Sequence, residues 1–390
     1  MSDRLFEKDK KTKLETTLSN RLKECVQWIN HPAKYWILRN TQDHTYLQVT
    51  PHDKQVIDLL SQFPPQIVAQ TCNISPQDLQ YLLKLLALTG MLEGTSPPKP
   101  PKRKFTPLQL LYFRRPLINP DQWLINHISK LHWIWTNPTG IILGLLLTSS
   151  TIFGLAHHTD ITYYGQQLLQ AHGSNLLLPF ILLSLAVVSL HELGHAFTLK
   201  HYGGIVPEIG LLFMCLMPAA YTNTTDAYCL IKKQQRFWVV AAGVACQLII
   251  AAIAFWLWFT SADNTWLHTG SYLLMGAALF TVALNLNPLV RFDGYYIAVA
   301  LTGINNLRQR SFQLYQNLMR GQPTHESPRD TWILLAYAPL SFAYLIFIFG
   351  KLFFWLSTWI LTHIPYLSLI LFILWVIYYT TPTKNHDSIS

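Results

Sequence analysis

The sequence predicts a mostly α, polytopic helical membrane protein with about six spans, preceded by a small α+β domain. Three observations carry this expectation. The 390 residues are 51% hydrophobic and only 13% charged, whereas a soluble chain carries about 25% charge. Long apolar runs occupy 139–156, 174–200, 237–260, 271–290 and 331–380, each close to or beyond the ~20 residues that a helix needs to cross a bilayer. Ahead of them, residues 21–94 contain no such run and read as short strands and capped helices.

Residues 1–20 are polar and charged and read as a loose tail. No apolar run follows closely, so no cleavable signal peptide is expected and this first segment is expected to stay in the cytoplasm. Within 21–94, Tyr35–Arg39 and Thr45–Val49 are strand candidates, separated by a turn-rich stretch from Asn40 to His44. Thr50 and Pro51 then offer an N-cap followed by proline at the first helical position, and Val56, Leu59, Leu60 and Phe63 share a face. Ile67, Val68 and Ala69 mark a short helix. Ser75 and Pro76 repeat the capping signal ahead of a stripe of Leu79, Leu82, Leu83 and Leu86, with Gly90 as the stop. A hairpin followed by three helices is a winged-helix-like arrangement. Residues 95–104 hold four prolines and four basic residues; the prolines favour extended polyproline II, and the bases suit anionic lipid head groups. Residues 105–136 mix Trp, Tyr and Arg, as expected of an interfacial approach to the bilayer. The run 331–380 is too long for one span and is divided into two between Lys351 and Pro365, leaving 381–390 as a C-terminal tail.

The net charge of +9 follows membrane orientation. Loops 157–173 and 261–270 contain no Lys or Arg, while the opposite loops carry Lys200, Lys232, Lys233, Arg236, Arg291, Arg308, Arg310, Arg320 and Arg329. The asymmetry predicts both termini in the cytoplasm. An alkaline-phosphatase reporter fused after residue 165 should be active, and a silent reporter there would reverse the topology. No basic stripe or zinc-finger spacing occurs, so no nucleic-acid partner is expected. The five cysteines, Cys25, Cys72, Cys215, Cys229 and Cys246, form no CxxC pair and predict no disulfide framework.

The chemistry concentrates in His191-Glu192-Leu193-Gly194-His195, an HExxH motif inside the run 174–200. Histidines at i and i+4 lie on one helical face, so both imidazoles can reach one tetrahedral zinc. The adjacent Glu192 can take a proton from a zinc-activated water. The plainer alternative is two hydrogen-bonded helix histidines beside a glutamate. It fits poorly, because ionisable side chains in lipid are costly and serve function by default. A catalytic zinc takes three protein ligands and keeps one position open. Asp293, after Asn285 and Pro288 and before Gly294, lies on the same side of the membrane. It is either the third ligand or an interfacial acid paired with Arg291.

An HExxH in one membrane helix with a later NxxPxxxxDG, here Asn285, Pro288, Asp293 and Gly294, resembles the site-2 protease family of intramembrane zinc metalloproteases. The stretch from His201 to Gly210, with Met217, Pro218 and Thr225 to Tyr228, is similar to a bacterial branch of peptide zinc metalloproteases, and the resemblance covers about 105–380. It implies one zinc per chain on His191, His195 and Asp293, Glu192 as general base, and Asn285 near the substrate or oxyanion, in a bacterial cytoplasmic (inner) membrane. The substrate would be a membrane-associated peptide or membrane protein. No PDZ-like insertion is found, unlike in many site-2 proteases. Residues 21–94 also resemble PqqD-like domains, which hold leader peptides by adding them as a strand beside the hairpin; a regulatory or purely structural module is the other reading.

Residues 205–228, apolar but broken by Pro207, Gly210 and Pro218, are either a re-entrant loop that presents an edge to an extended substrate or an apolar plug. His157 and His158 lie in the outer loop, His127, His201 and His268 read as interfacial, and Asp226 as capping, structural or facing the cavity. Two rival functions remain: a metal-binding, non-proteolytic accessory subunit of a peptide maturation or export system, and a transporter. The second leaves the HExxH and Asp293-Gly294 without a role.

Overall fold

The computed structural model describes residues 20–31, 34–98, 112–214, 217–324 and 326–363. The chain divides into two compact units, Met1–Leu286 and Asn287–Ser390.

The first unit begins with an antiparallel sheet of three strands in the order β1 (Val26–His31), β2 (Tyr35–Asn40), β3 (Thr45–Val49). The hairpin β2–β3 matches expectation. β1 is an addition, and its signal is the alternation of Val26 and Trp28 with polar residues. Three helices follow: α1 (Pro51–Leu60), α2 (Pro65–Thr71) and α3 (Pro76–Leu88). At α1 the Thr50 hydroxyl accepts from the Asp53 amide at 3.1 Å while the Thr50 amide donates to the Asp53 carboxylate at 3.0 Å, a reciprocal cap of two otherwise orphaned donors. At α3 the Ser75 hydroxyl accepts from the Asp78 amide at 3.1 Å, a one-way cap. Leu38, Val49, Val56, Ile57, Leu60, Leu79, Leu82 and Leu86 form the core. Phe63 does not join it and stays exposed. Pro64 and Pro65 disfavour helical backbone just before them, so α1 stops at Leu60 and Phe63 leaves the buried face.

Most of the linker expected at 95–104, together with 105–111, lies outside the described residues. The approach segment that follows is not merely interfacial. Its residues Tyr112–Ile118 form β4, which pairs with β5 (Ile209–Met214), which in turn pairs with β6 (Met217–Thr222). The middle of the stretch 205–228 thus supplies two strands of this sheet. Pro116 and Pro218 sit on the two outer strands and the central β5 has no proline, as the missing N–H requires. Gly210 is needed in the centre, because a Cβ there would lie 2.2 Å from the Arg115 carbonyl oxygen.

Helix α4 (Asp121–Leu131) leads to α5 (Asn137–Ala156). The next segment, expected as an outer loop, is a helix, α6 (His158–His172), held by Tyr164 against Thr269 and by Tyr272 donating to the Ile161 carbonyl at 2.9 Å. Then come α7 (Leu177–His201), α8 (Lys233–Thr260) and α9 (Trp266–Asn285). α9 ends at Asn285 rather than near 290, because Pro288 disfavours helical backbone at Asn287. No residue of α5 is buried, and its Ile141, Ile142, Leu145 and Leu155 side chains stand exposed; such a surface needs lipid, not water, around it.

The second unit holds α10 (Asp293–Thr302), α11 (Leu307–Met319) and α12 (Pro328–His363), packed around Tyr295, Ile304, Leu307, Leu314, Leu334 and Tyr337. α12 contains Pro339, which cannot donate to the Leu335 carbonyl one turn back. The Tyr315 hydroxyl donates to that carbonyl instead, at 2.8 Å, and the helix passes the proline without stopping. It also runs unbroken through Lys351 to His363, so the two-span division does not fall at Lys351; residues 364–380 lie outside the described residues.

Among the described residues, five stretches are long and apolar enough to cross a membrane: Asn137–Ala156, His158–His201, Lys233–Thr260, Trp266–Asn285 and Pro328–Lys351. The chain is an integral membrane protein by this measure.

Candidate metal centre

The HExxH lies on α7, and its histidines are among the few polar side chains buried in the apolar helices, His191 at 3% and His195 at 7% exposure. The C-terminal half of α7 is fixed from several directions. Ala196 and Leu199 pack with Leu124, Val206, Leu230 and Val239. Lys200 pairs with Asp121 at 2.8 Å, and the same Asp121 carboxylate accepts from the Val206 amide at 2.9 Å. Thr222, the last residue of β6, donates its hydroxyl to the Glu192 carbonyl at 3.0 Å. The helix that bears the motif is thus tied both to α4 and to the sheet.

Helix α8 shapes the histidine pair. His195 Nδ1 lies 2.7 Å from the Val239 carbonyl. A carbonyl only accepts, so Nδ1 carries the proton and the lone pair is on Nε2. That Nε2 faces His191 Nε2 at 3.1 Å, with the rings nearly perpendicular at 87°. Two nitrogens each about 2.0–2.1 Å from one tetrahedral zinc stand roughly 3.3 Å apart, so the pair is already near ligand spacing. One turn along α8 from Val239 is Gly243. A Cβ there would lie 2.4 Å from both His191 Cε1 and His195 Nε2; only glycine lets the imidazoles occupy this space.

Asp293 is the first residue of α10. It belongs to the second unit, and the histidine pair to the first. Two imidazoles at this spacing, with a backbone carbonyl orienting one of them, are donors that suit zinc. Glu192 is half-buried beside the pair in sequence. The Asn285 amide nitrogen lies 3.4 Å from His191 Nδ1 and donates to Gln247 Oε1 at 3.4 Å.

Residues 179–269 match the model of Peptidase family M50. The matched segment spans most of α7, all of β5, β6 and α8, and the HExxH, but ends before Asn285 and Asp293. At the level of the family it supports a site-2-protease-like metalloprotease. No curated protein and no solved structure matches the chain.

The other polar candidates have ordinary partners. His157 pairs with Asp160 at 2.9 Å, and His158 bonds the Leu155 carbonyl. His127 bonds the Trp123 carbonyl, and His201 stacks on Trp135 at 4.3 Å. His268 is buried rather than interfacial, bonding Ser261 at 3.2 Å. Cys25, Cys72, Cys229 and Cys246 are free thiols, and Cys215 lies outside the described residues.

Asp226 follows the structural one of its readings, with a partner the sequence does not indicate. It is 1% exposed, pairs with Arg39 of β2 and accepts from the Ile205 amide at 2.6 Å. The N-terminal sheet is therefore pinned to the loop between β6 and α8. Burial, followed by the Asp226 carboxylate, pushes the Cys229 thiol up to about 12 and the Tyr46 phenol upward as well. Removing one partner of a buried pair costs about 3–5 kcal/mol. Arg39→Ala should accordingly lower the unfolding midpoint and speed amide exchange at 225–229. Replacing Arg39 and Asp226 together by leucine should restore most of the loss. Unchanged exchange in the single variant would refute the pin.

Proposed function

We infer that the chain is an intramembrane zinc metalloendopeptidase, with His191, His195 and Asp293 as ligands and Glu192 as general base. The observation that carries this is the buried histidine pair at ligand spacing beside a glutamate, in a segment that matches a peptidase family. A zinc ion held there would polarise the scissile carbonyl and acidify the attacking water. Glu192 takes the proton from that water and passes it to the leaving amine. Asn285 orients either His191, which it touches, or the substrate.

A scissile peptide must be extended, because a helical amide is shielded by its own hydrogen bonds. β6 supports such a substrate. It is an outer strand, and its last residue, Thr222, touches the backbone of Glu192, so a peptide added along it would run past the base. The three-stranded N-terminal sheet, with outer strands β1 and β3, supports a second grip, on a leader-bearing peptide. The substrate is thus a membrane-associated or leader-bearing peptide, and the site opens toward the cytoplasm of a bacterial inner membrane.

The test combines elemental analysis with cleavage. The purified chain should hold one zinc, and membranes containing it should yield new peptide N-termini by mass spectrometry that vanish on chelation. Zinc without any cleavage product would favour the accessory subunit; no zinc would end the reading.

A further inference from the structure

Gln247 has no part in the ligand set, yet it is completely buried in the middle of α8. An amide in an apolar helix bundle is costly unless its hydrogen bonds are made. Its Oε1 accepts from Asn285 at 3.4 Å, while its Nε2 has no hydrogen-bond partner among the described residues. Its position is also specific. Val239, Gly243 and Gln247 follow at intervals of four and form one stripe on α8. The first supplies the carbonyl that fixes His195, the second the space for both rings, and the third the amide that reaches Asn285, which in turn lies 3.4 Å from His191 Nδ1.

We propose that Gln247 is a positioning residue for the metal centre, acting through Asn285 to hold His191 in the form that ligates zinc. The proposal rests on the zinc reading above. A zinc bond at His191 Nε2 needs the ring proton on Nδ1, and that N–H needs an acceptor. The neighbouring group is the Asn285 amide. Turning a terminal amide exchanges its oxygen and nitrogen at nearly the same places. With Asn285 Oδ1 toward His191 it accepts the Nδ1–H. The same turn in Gln247 brings its Nε2–H, otherwise without a partner, to Asn285 Oδ1. The oxygen that Gln247 then leaves unpaired is the less costly orphan, since buried N–H groups without partners are the rarer of the two. Each ligand histidine thus has its own orienting acceptor: the Val239 carbonyl for His195, and the Asn285 oxygen, held by Gln247, for His191.

Zinc binding to the full-length chain in detergent, measured by competition with a chromophoric chelator, tests this without reference to activity. Outer partners of metal-binding histidines contribute about 10–100-fold in affinity, and Gln247→Leu, which keeps the bulk and removes the amide, should weaken zinc by that factor. Gln247→Met is a second apolar variant in case the first fails to fold. Cobalt in place of zinc should show an altered ligand-field spectrum in both. In an Asn285→Leu background, Gln247→Leu should add no further loss, because its path to His191 is already cut. Wild-type affinity in the Leu and Met variants, or losses that simply multiply in the double variant, would overturn the proposal and leave the zinc reading intact. Failure of the wild-type chain to bind zinc would remove both.

Discussion

Glu192→Gln is expected to keep the zinc and to stop cleavage. Glutamine has nearly the shape of glutamate, and Glu192 is not among the proposed ligands His191, His195 and Asp293. The metal content should stay at the wild-type value. What disappears is a proton acceptor: an amide cannot take the proton of the attacking water or return it to the amine. General-base assistance is worth typically about 10²–10⁴-fold, and here the same group also serves as the acid, so the loss should lie at the upper end. The backbone at this residue should not move, because the Glu192 carbonyl remains bonded to the Thr222 hydroxyl. Peptide N-termini compared between membranes holding the wild-type chain and membranes holding the Glu192→Gln variant give the cleavage readout even while the substrate is unidentified. Equal cleavage by both would remove Glu192 from the mechanism.

The second large effect comes from one methyl group. Gly243→Ala should abolish zinc binding although Gly243 has no side chain to contribute. The added Cβ would sit 2.4 Å from His191 Cε1 and His195 Nε2 and 2.6 Å from His191 Nδ1. Something must shift by more than half an ångström to reach ordinary contact, whereas zinc sites hold their distances to about ±0.2 Å. The rings cannot both retreat: His195 is bonded to the Val239 carbonyl on the same helix at 2.7 Å, so moving α8 away breaks the bond that orients the ligand. Overpacking of this kind costs about 1–3 kcal/mol, which leaves the fold standing while the site fails. Zinc content should fall at least tenfold in the purified variant. Gly154→Ala on α5, where the nearest atom would be Phe255 Cε2 at 3.8 Å, is the control and should keep the metal. Full zinc occupancy in Gly243→Ala would show that the histidine pair does not ligate in the arrangement described.

Both predictions turn on residues of different legibility. Glu192, His191 and His195 lie within one helical turn and a half, so their common neighbourhood follows from local geometry and can be read from the chain alone. The same holds for the caps at Thr50 and Ser75 and the apolar helices: each is set by neighbours in sequence or by the number of consecutive apolar residues. Asp293 is reachable as a candidate because a catalytic zinc wants a third ligand, but the choice between ligand and partner of Arg291 stays open in the sequence.

What the chain by itself determined, then, was an α-helical membrane protein with an HExxH on one of its helices and a small domain in front. Tertiary structure alone decided the rest. It made β4 a partner of β5, paired Arg39 with Asp226, and aligned Val239, Gly243 and Gln247 against the histidines. Such choices join residues far apart in sequence, where no local periodicity leaves a trace: a glycine in an apolar helix looks like any other until the ring that needs its space arrives from another helix.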